Sequence, residues 1–205
     1  QSMGISLLIE VPDAEEPLKN CEFTAIYDEH RAYFSEHDMR TMLESCFNGK
    51  GRYIRHKYIY EDSHSLVVGN RLNSEQPLKD NTDEKWKYDL LNKYQTKQTL
   101  INKHLSSFKT VAIYGSNHHA ISFASIYNIE HDLDYIFDDN ARKHGKYLPG
   151  TSLIIRPPEL SLLKENSLVI LCVSQVHAEV ISARVKEVNA NCNVLHHSEI
   201  ERISR

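Results

Sequence analysis

The sequence is short of glycine, and its glycines are too scattered to form the nucleotide-binding loop of many α/β proteins. Only 7 of the 205 residues are glycine. No stretch fits G-x-G-x-x-G, in which glycines let the chain turn tightly and approach a pyrophosphate. Gly49 and Gly51 form a G-x-G, but it follows a predicted helix and leads into a predicted strand. A standard dinucleotide fingerprint is therefore excluded.

Cysteine pairs are also missing, which argues against the commonest zinc and redox sites. The four cysteines are scattered with no C-x-x-C pair, so free thiols in a cytoplasmic protein are predicted. Twelve histidines is a high count, and two adjacent pairs occur, His118-His119 and His196-His197. Adjacent side chains point in different directions, and no histidine follows another at i+4. We therefore predict no metal site.

Long apolar runs and a strong net charge are absent as well. No stretch approaches the roughly 20 apolar residues of a membrane span. The formal net charge of −4 gives little attraction to nucleic acid or anionic lipid. We expect neither a nucleic-acid nor a membrane partner.

The most informative stretch contains two apolar strands joined by a segment with helical spacing. The strands are predicted at Val111–Tyr114 and Leu133–Phe137, and Gly115 ends the first of them. Two acids, Asp138 and Asp139, end the second strand. Strand, tight turn, helix and strand form the opening unit of a doubly wound α/β domain, whose ligands bind at the carboxyl ends of the strands.

The remainder of the C-terminal part continues this alternation. Further elements are predicted as strands Ser152–Ile155, Leu168–Val173 and Cys192–Leu195, and as helices Glu159–Leu163 and Val176–Val188. On the last helix, the apolar face is predicted to contain Val176, Val180, Ile181 and Val185. Alternating strands and helices predict a Rossmann-like, mostly parallel sheet.

The N-terminal part predicts a smaller, partial α/β unit. Ser6–Val11 is a continuous apolar run, which predicts a fully buried parallel strand. Ser35 is a predicted N-cap for an amphipathic helix, Glu36–Phe47. Arg52–Tyr60 and Ser65–Arg71 predict a β-hairpin. A long helix then begins at Thr82, and its apolar stripe is expected to pack on the C-terminal sheet.

Two groups of motifs carry a resemblance to a known family. YIFDDNARKHGKYLPGTSLIIRPPEL, preceded by VAIYG, resembles the C-terminal domain of S-adenosylmethionine-dependent C-methyltransferases. SLLIEVPD and IYDEHRAYF resemble the end of the catalytic domain in the same enzymes, which methylate carbon on nucleotide-linked keto-sugars. The resemblance implies three parts: residues 4–72 as the tail of a catalytic domain, 73–109 as linker and long helix, and 110–205 as a Rossmann-like C-terminal domain.

The resemblance also implies catalytic roles for Tyr27, Glu29 and His30. The histidine of Tyr-x-Glu-His resembles the family's base, which removes a proton beside a sugar ketone. Tyr27 and Glu29 would contact the substrate, and so would Tyr33 in the same motif. Histidine is a natural base near neutral pH. The residues by themselves also allow a polar surface loop with no catalytic role.

A second candidate site is the predicted crevice, with Gly115, Ser116, Asn117, Asp138 and Asp139 as substrate-binding residues. Amides at a helix start can bind phosphate, and an acid about twenty residues beyond a glycine turn can bind ribose. The family usually has a lysine-containing loop of small residues after this glycine, and this sequence has Asn117-His118-His119 instead. A simple turn with solvated acids is the alternative.

The parts of the family that bind the cofactor have no counterpart in the sequence. The glycine-rich loop that holds the cofactor is missing, and so is the separate cysteine-rich zinc-binding domain that the family usually carries before the catalytic domain. S-adenosylmethionine is therefore expected to serve the intact family enzyme but not to bind this chain, which is expected to be inactive alone. The alternative is a non-catalytic nucleotide-sugar-binding or protein-interaction module. Strand 6–11 is expected to pair with a second copy, a partner chain or a rearranged local segment.

Overall fold

A computed structural model of the protein describes residues 6–25, 32–56, 63–69 and 88–203. The chain divides into two compact units, one of residues 1–20 and 28–90 and one of residues 21–27 and 91–205. The first unit contains a three-stranded antiparallel sheet and the second a five-stranded parallel sheet, which confirms the predicted fold class. The predicted boundary at residue 72 lies outside the described residues, and the predicted boundary at residue 109 also stays a prediction.

The first unit packs one helix on its small sheet. Its elements are β1 Ser6–Pro12, α1 Glu15–Lys19, α2 Glu36–Phe47, β2 Gly51–His56 and β3 Ser63–Gly69. The strand order is β1-β3-β2, and the β2–β3 pair is the predicted hairpin. Met39 and Leu43 of α2 pack against Tyr53 and Leu66 of the sheet. Helix α2 starts as predicted, because the Ser35 side chain accepts from the Asp38 amide in a capping box.

Strand β1 corrects one prediction. It pairs antiparallel with β3, from Ser6 opposite Gly69 to Pro12 opposite Ser63. It forms an edge of the described sheet, and Leu8 is 63% exposed. The prediction of a fully buried parallel strand is therefore wrong. A continuous apolar run does not reveal strand direction, and the partner strand lies far along the chain.

A buried polar chain joins the end of β1 to β2 and β3. The Asp13 carboxylate accepts from Arg55 Nη2 at 2.5 Å and lies 3.2 Å from His64 Nε2. The other nitrogen of His64 lies 2.8 Å from the Tyr53 hydroxyl. Burial alone would raise the pKa of the Asp13 carboxyl. Hydrogen bonds and charge from His64 and Arg55 outweigh burial and lower the pKa to about 2. Asp13 thus stays ionised and connects three strands.

The second unit has the strand order β6-β5-β4-β7-β8, with every pair parallel. Its elements are α3 Leu90–Leu105, β4 Thr110–Tyr114, α4 His118–Tyr127, β5 Tyr135–Phe137, β6 Ile155–Arg156, β7 Ser167–Leu171, α5 Gln175–Val188, β8 Asn193–His196 and α6 His197–Glu201. The order reverses between β4 and β7, so the carboxyl ends of these strands form the switch point at which such sheets bind ligands. None of the described helices is long and apolar enough to cross a membrane.

Helices cover both faces of this sheet. The connections β4–α4–β5 and β7–α5–β8 lead in opposite directions, so right-handed crossovers place α4 and α5 on opposite faces. On the α5 face, Tyr114 and Phe137 pack with Ile181 and Val185. Helix α3 contacts the C-terminal end of α4, where the Tyr94 hydroxyl donates to the Ile126 carbonyl at 2.6 Å.

The apolar face of α5 is narrower than predicted. Ile181 and Val185 are buried as expected, together with Ala178. Val176 and Val180 are each 61% exposed, so their assignment to the buried face is wrong.

Two boundaries near β6 also differ from the prediction. The strand predicted at Ser152–Ile155 begins only at Ile155, because Glu130 accepts from both the amide and the hydroxyl of Ser152 at 2.6 Å. The helix predicted at Glu159–Leu163 is a 3-10 turn, Leu160–Leu162.

A short strap, residues 22–25, lies within the segment 21–27, which belongs to the second unit although the chain before and after that segment belongs to the first. The carboxylate of the fully buried Glu201 accepts from the Thr24 amide at 3.0 Å, the Thr24 hydroxyl at 2.6 Å and the Tyr127 hydroxyl at 2.5 Å. Phe23 packs edge-on against Tyr94, with ring centroids 5.5 Å apart. Burial raises the pKa of Glu201, but its hydrogen bonds lower the pKa by more. An ionised carboxylate therefore anchors the strap.

Candidate functional site

The carboxyl edge of the parallel sheet brings together residues from three strand ends. The chain turns after β4, after β5 and after β8 at this edge, next to the reversal of strand order. We call these residues the switch-point site: Gly115, Ser116, Asn117, His118, His119, Asp138, Asp139, Lys143, His196 and His197.

Gly115 allows close backbone contact between the turn after β4 and the turn after β7. It has a positive φ of 100°, and a Cβ placed on it would lie 2.5 Å from the Cys172 carbonyl oxygen and 2.7 Å from Val173 Cγ1. Its amide donates to the Phe137 carbonyl at 2.8 Å. A glycine is required here because of both the backbone angle and the close approach.

The Asp138 carboxylate is bound on both oxygens by groups of the protein. Oδ2 accepts from the Ser116 amide at 2.8 Å, the Ser116 hydroxyl at 2.5 Å and Lys143 Nζ at 2.9 Å. Oδ1 accepts from the Asn140 amide at 2.8 Å. Burial raises the pKa of Asp138, but these bonds bring it down to about 2. The acid predicted to meet a ribose therefore holds two turns of the site together.

Asn117 and Asp139 also have partners within the protein. The Asn117 side chain caps α4, because it accepts from the His119 amide at 3.0 Å and the Ala120 amide at 3.3 Å. Two of the amides expected to bind phosphate are thus already paired. Asp139 accepts from the Tyr114 hydroxyl at 2.9 Å and Arg184 Nη1 at 2.8 Å, yet 55% of its side chain remains exposed.

Lys143 is a member of the site that sequence reasoning missed. It ends a 3-10 turn, Ala141–Lys143, and its Nζ donates to the Ser116 carbonyl at 3.0 Å as well as to Asp138. The only signal in the sequence was its position, five residues after Asp138 at the end of a predicted strand. Nothing in that spacing indicates that the side chain folds back onto the turn after β4.

The two histidine pairs, far apart in sequence, form one row of imidazoles. Ring centroids are 3.9 Å apart for His118 and His119, 4.8 Å for His119 and His197, and 4.3 Å for His196 and His197. Burial, assisted by the neighbouring imidazoles, lowers the pKa of His119 to about 4. Within the described ranges, no group of three or more potential ligand side chains could hold a metal ion.

The residues predicted to catalyse the reaction are not placed by the structure. Tyr27, Glu29 and His30 lie outside the described residues, so their roles stay predictions. Tyr33 is described and is half-buried in the first unit, next to Phe34, which bridges to Asp13. Its predicted role in substrate binding stays a prediction too.

The fold and the site define a Rossmann-like domain with a cluster of polar side chains at its switch point. Residues 53–194 match the family described as C-methyltransferase C-terminal domain, which is 142 of the 205 residues. The chain belongs to this family, as its motifs predicted. The matched region contains Gly115, Asp138 and Lys143, but neither His30 nor His197. A search of curated proteins finds no match.

Replacing Gly115 with alanine should destabilise the second unit by about 2 to 4 kcal/mol, through backbone strain and the clash with Cys172. Urea unfolding of the full chain measures the change. Gly145→Ala is the control, because Gly145 also has a positive φ of 77° but a Cβ there would meet nothing within 4 Å. It should cost about 1 to 2 kcal/mol, for strain alone. Equal costs for both variants would contradict the close approach.

His119→Phe should reduce the loss of stability in mild acid. The folded pKa of about 4 lies below the ordinary value of 6.5, so between these values only the unfolded chain binds the proton. The free energy of unfolding therefore falls as pH falls from 6.5 to 4, by about 1.4 kcal/mol per unit of pKa shift. Phenylalanine can stack on His197 as His119 does, but it has no group that binds a proton in this pH range.

Urea unfolding at several pH values between 4 and 7 tests this slope. His131→Phe is the control, because His131 is exposed and its loss should leave the slope unchanged. The interpretation is wrong if His119→Phe and the unmodified protein lose stability in parallel.

Proposed function

We propose that the chain is the C-terminal portion of an S-adenosylmethionine-dependent C-methyltransferase-like protein that acts on a nucleotide-linked keto-sugar. In this proposal the second unit binds the nucleotide-sugar at the switch-point site. The observation that carries the proposal is the polar turn at Gly115, which lies at the strand reversal within the region that matches the family.

The groups at the site suit a phosphorylated sugar. Ser116 and Lys143 bring a hydroxyl and an ammonium group to the same turn. His118 is exposed at the start of α4. Because Asp138 is saturated by internal bonds, we propose that Asp139, with its side chain more than half exposed, accepts a ribose hydroxyl.

The described residues do not fit S-adenosylmethionine, which supplies the methyl group in this family. The acid at the end of β5 already accepts four hydrogen bonds. The Asn117 side chain occupies amides at the start of α4, and the turn at Gly115 is closed against Cys172. We therefore propose that this chain alone neither binds the cofactor nor methylates a sugar.

For the intact form, we propose that His30 removes the proton next to the ketone and that Tyr27, Glu29 and Tyr33 contact the sugar. The support is the Tyr-x-Glu-His motif in its IYDEHRAYF context. A proton beside a ketone is weakly acidic, so a positioned base contributes about 10²- to 10⁴-fold to the rate.

The experiment that tests this function has a binding arm and a rate arm. In calorimetry, nucleotide-sugars should bind the chain saturably, and S-adenosylmethionine should give no saturable heat. With a cofactor-binding half supplied, His30→Ala should lower turnover by about 10²- to 10⁴-fold.

Matched variants locate the binding. Asp139→Asn should weaken the affinity for a nucleotide-sugar, and Glu187→Gln, which removes an exposed acid on α5, should not. Absence of nucleotide-sugar binding would overturn the proposed substrate class. Unchanged turnover in His30→Ala would remove only the proposed base.

A non-catalytic nucleotide-sugar-binding or interaction module is the second candidate. It is favoured by the poor fit between the described residues and the cofactor. A longer reading frame, or a neighbouring one with a glycine-rich methyltransferase loop, would favour the enzyme instead.

We also propose that β1 pairs with a strand of a second copy or a partner chain. It is an edge strand of the described sheet, and Leu7 and Leu8 are 43% and 63% exposed. Exposed apolar edges favour pairing, and lysine blocks it.

Light scattering should show mass rising with concentration, except in Leu8→Lys. Val180→Lys, at a site 61% exposed in the other unit, is the control. A monomer at every concentration contradicts pairing with a second copy.

A further inference from the structure

We propose that Lys143 binds the diphosphate of the nucleotide-sugar, an inference that rests on the proposed function and names the group that its site recognises. A phosphate needs a cation or several free N–H donors. At the turn after β4, Gly115, Ser116 and Asn117 carry no charge, and the half-buried imidazole of His119 is neutral at pH 7. The amides of Gly115, Ser116, His119 and Ala120 already donate within the protein. The positive charge at this turn comes from Lys143.

The position of the Lys143 ammonium group is fixed by two acceptors on neighbouring loops. One is the Ser116 carbonyl at 3.0 Å, and the other is Asp138 Oδ2 at 2.9 Å. An ammonium group has three N–H donors, so these bonds leave one donor for a ligand. About a third of the side chain, 35%, remains exposed. The ammonium is therefore held at the strand tips and still accessible.

The backbone that carries Lys143 is also restrained. The Lys143 amide donates to the Asn140 carbonyl at 2.9 Å, and the Asn140 side chain accepts from the Arg142 amide at 3.1 Å. His144 Nε2 lies 2.7 Å from the Asp138 carbonyl. A side chain that is already ordered loses less conformational entropy when a ligand arrives.

The neighbouring carboxylate does not cancel this role. The Asp138 carboxylate accepts four hydrogen bonds from the protein. Only 10% of its side chain is exposed, compared with 35% of the Lys143 side chain. An anion that approaches from solvent therefore meets the ammonium before the carboxylate. Asp139, four residues before Lys143, is the other carboxylate that could repel a phosphate here. It forms an ion pair with Arg184 at 2.8 Å, which offsets its negative charge.

The test compares ligands with and without phosphate, on the full chain. Calorimetry gives the affinities for a series of nucleoside diphosphates, the corresponding nucleosides and pyrophosphate. In Lys143→Met the diphosphates and pyrophosphate should bind about 10- to 100-fold more weakly, the loss expected for one charged hydrogen bond. The nucleosides should bind as before, and Lys143→Arg should recover part of the loss.

Two controls separate ligand binding from support of the loop. Lys146→Met removes an exposed lysine of the same loop and should leave every affinity unchanged. If Lys143 only supported the loop, Lys143→Met would weaken nucleosides and diphosphates equally, and the inference would be overturned. The double variant Asp138→Asn, Lys143→Met avoids an unpaired buried carboxylate and should show the same selective loss.

The wild-type result distinguishes the two levels of failure. If the wild-type chain binds diphosphates and Lys143→Met binds them equally well, the role of Lys143 is wrong and the proposed function stands. If the wild-type chain binds no nucleoside diphosphate, the proposed function itself fails. Added salt should weaken diphosphate binding to the wild-type chain more than to Lys143→Met. Salt screens the attraction between the Lys143 ammonium and the diphosphate, and the variant has no ammonium group at this position.

Discussion

The carboxylate of Asp138 is the interaction on which the switch-point site depends. It receives hydrogen bonds from the turn after β4, through Ser116, and from the turn after β5, through Asn140 and Lys143. A buried carboxylate is stable only when its hydrogen bonds and charge are satisfied, and loss of one partner leaves a costly unpaired group. The same four bonds occupy both oxygens of Asp138. Its predicted role in substrate binding stays a prediction, and the proposed recognition uses the groups that this carboxylate holds in place.

Two further buried carboxylates organise the units in the same way. Asp13 gathers Arg55 and His64 at the end of β1, and Glu201 gathers Thr24 and Tyr127 around the strap. Each has a pKa below its ordinary value because its hydrogen bonds outweigh burial. Each therefore favours the folded state at neutral pH, and this contribution is lost as the pH falls below the ordinary pKa of the group and through its lower folded pKa. In both units, segments distant in sequence are joined through an acid.

This pattern explains what the sequence could and could not predict. The β4–α4–β5 unit and the Ser35 cap were predicted correctly, because apolar spacing, a terminal glycine and an N-cap serine are local signals. The direction of β1, the strap at Thr24 and the position of Lys143 were not, because each depends on a partner far along the chain. The histidine pairs show the same limit: the rings within each pair lie 3.9 and 4.3 Å apart, and no local signal indicated that His119 and His197 would stack across two elements.

The matched region separates what the family defines from what is particular to this chain. It contains the strands and turns around Gly115, Asp138 and Lys143, and it ends before His197 and Glu201. A glycine-rich loop binds phosphate through backbone amides, whereas here Asn117 already caps two of those amides. A lysine held by two acceptors provides a donor at the same strand tips without requiring glycines. The scarcity of glycine therefore excludes one way of binding a nucleotide at this edge, and the role proposed for Lys143 is an alternative that needs no glycine.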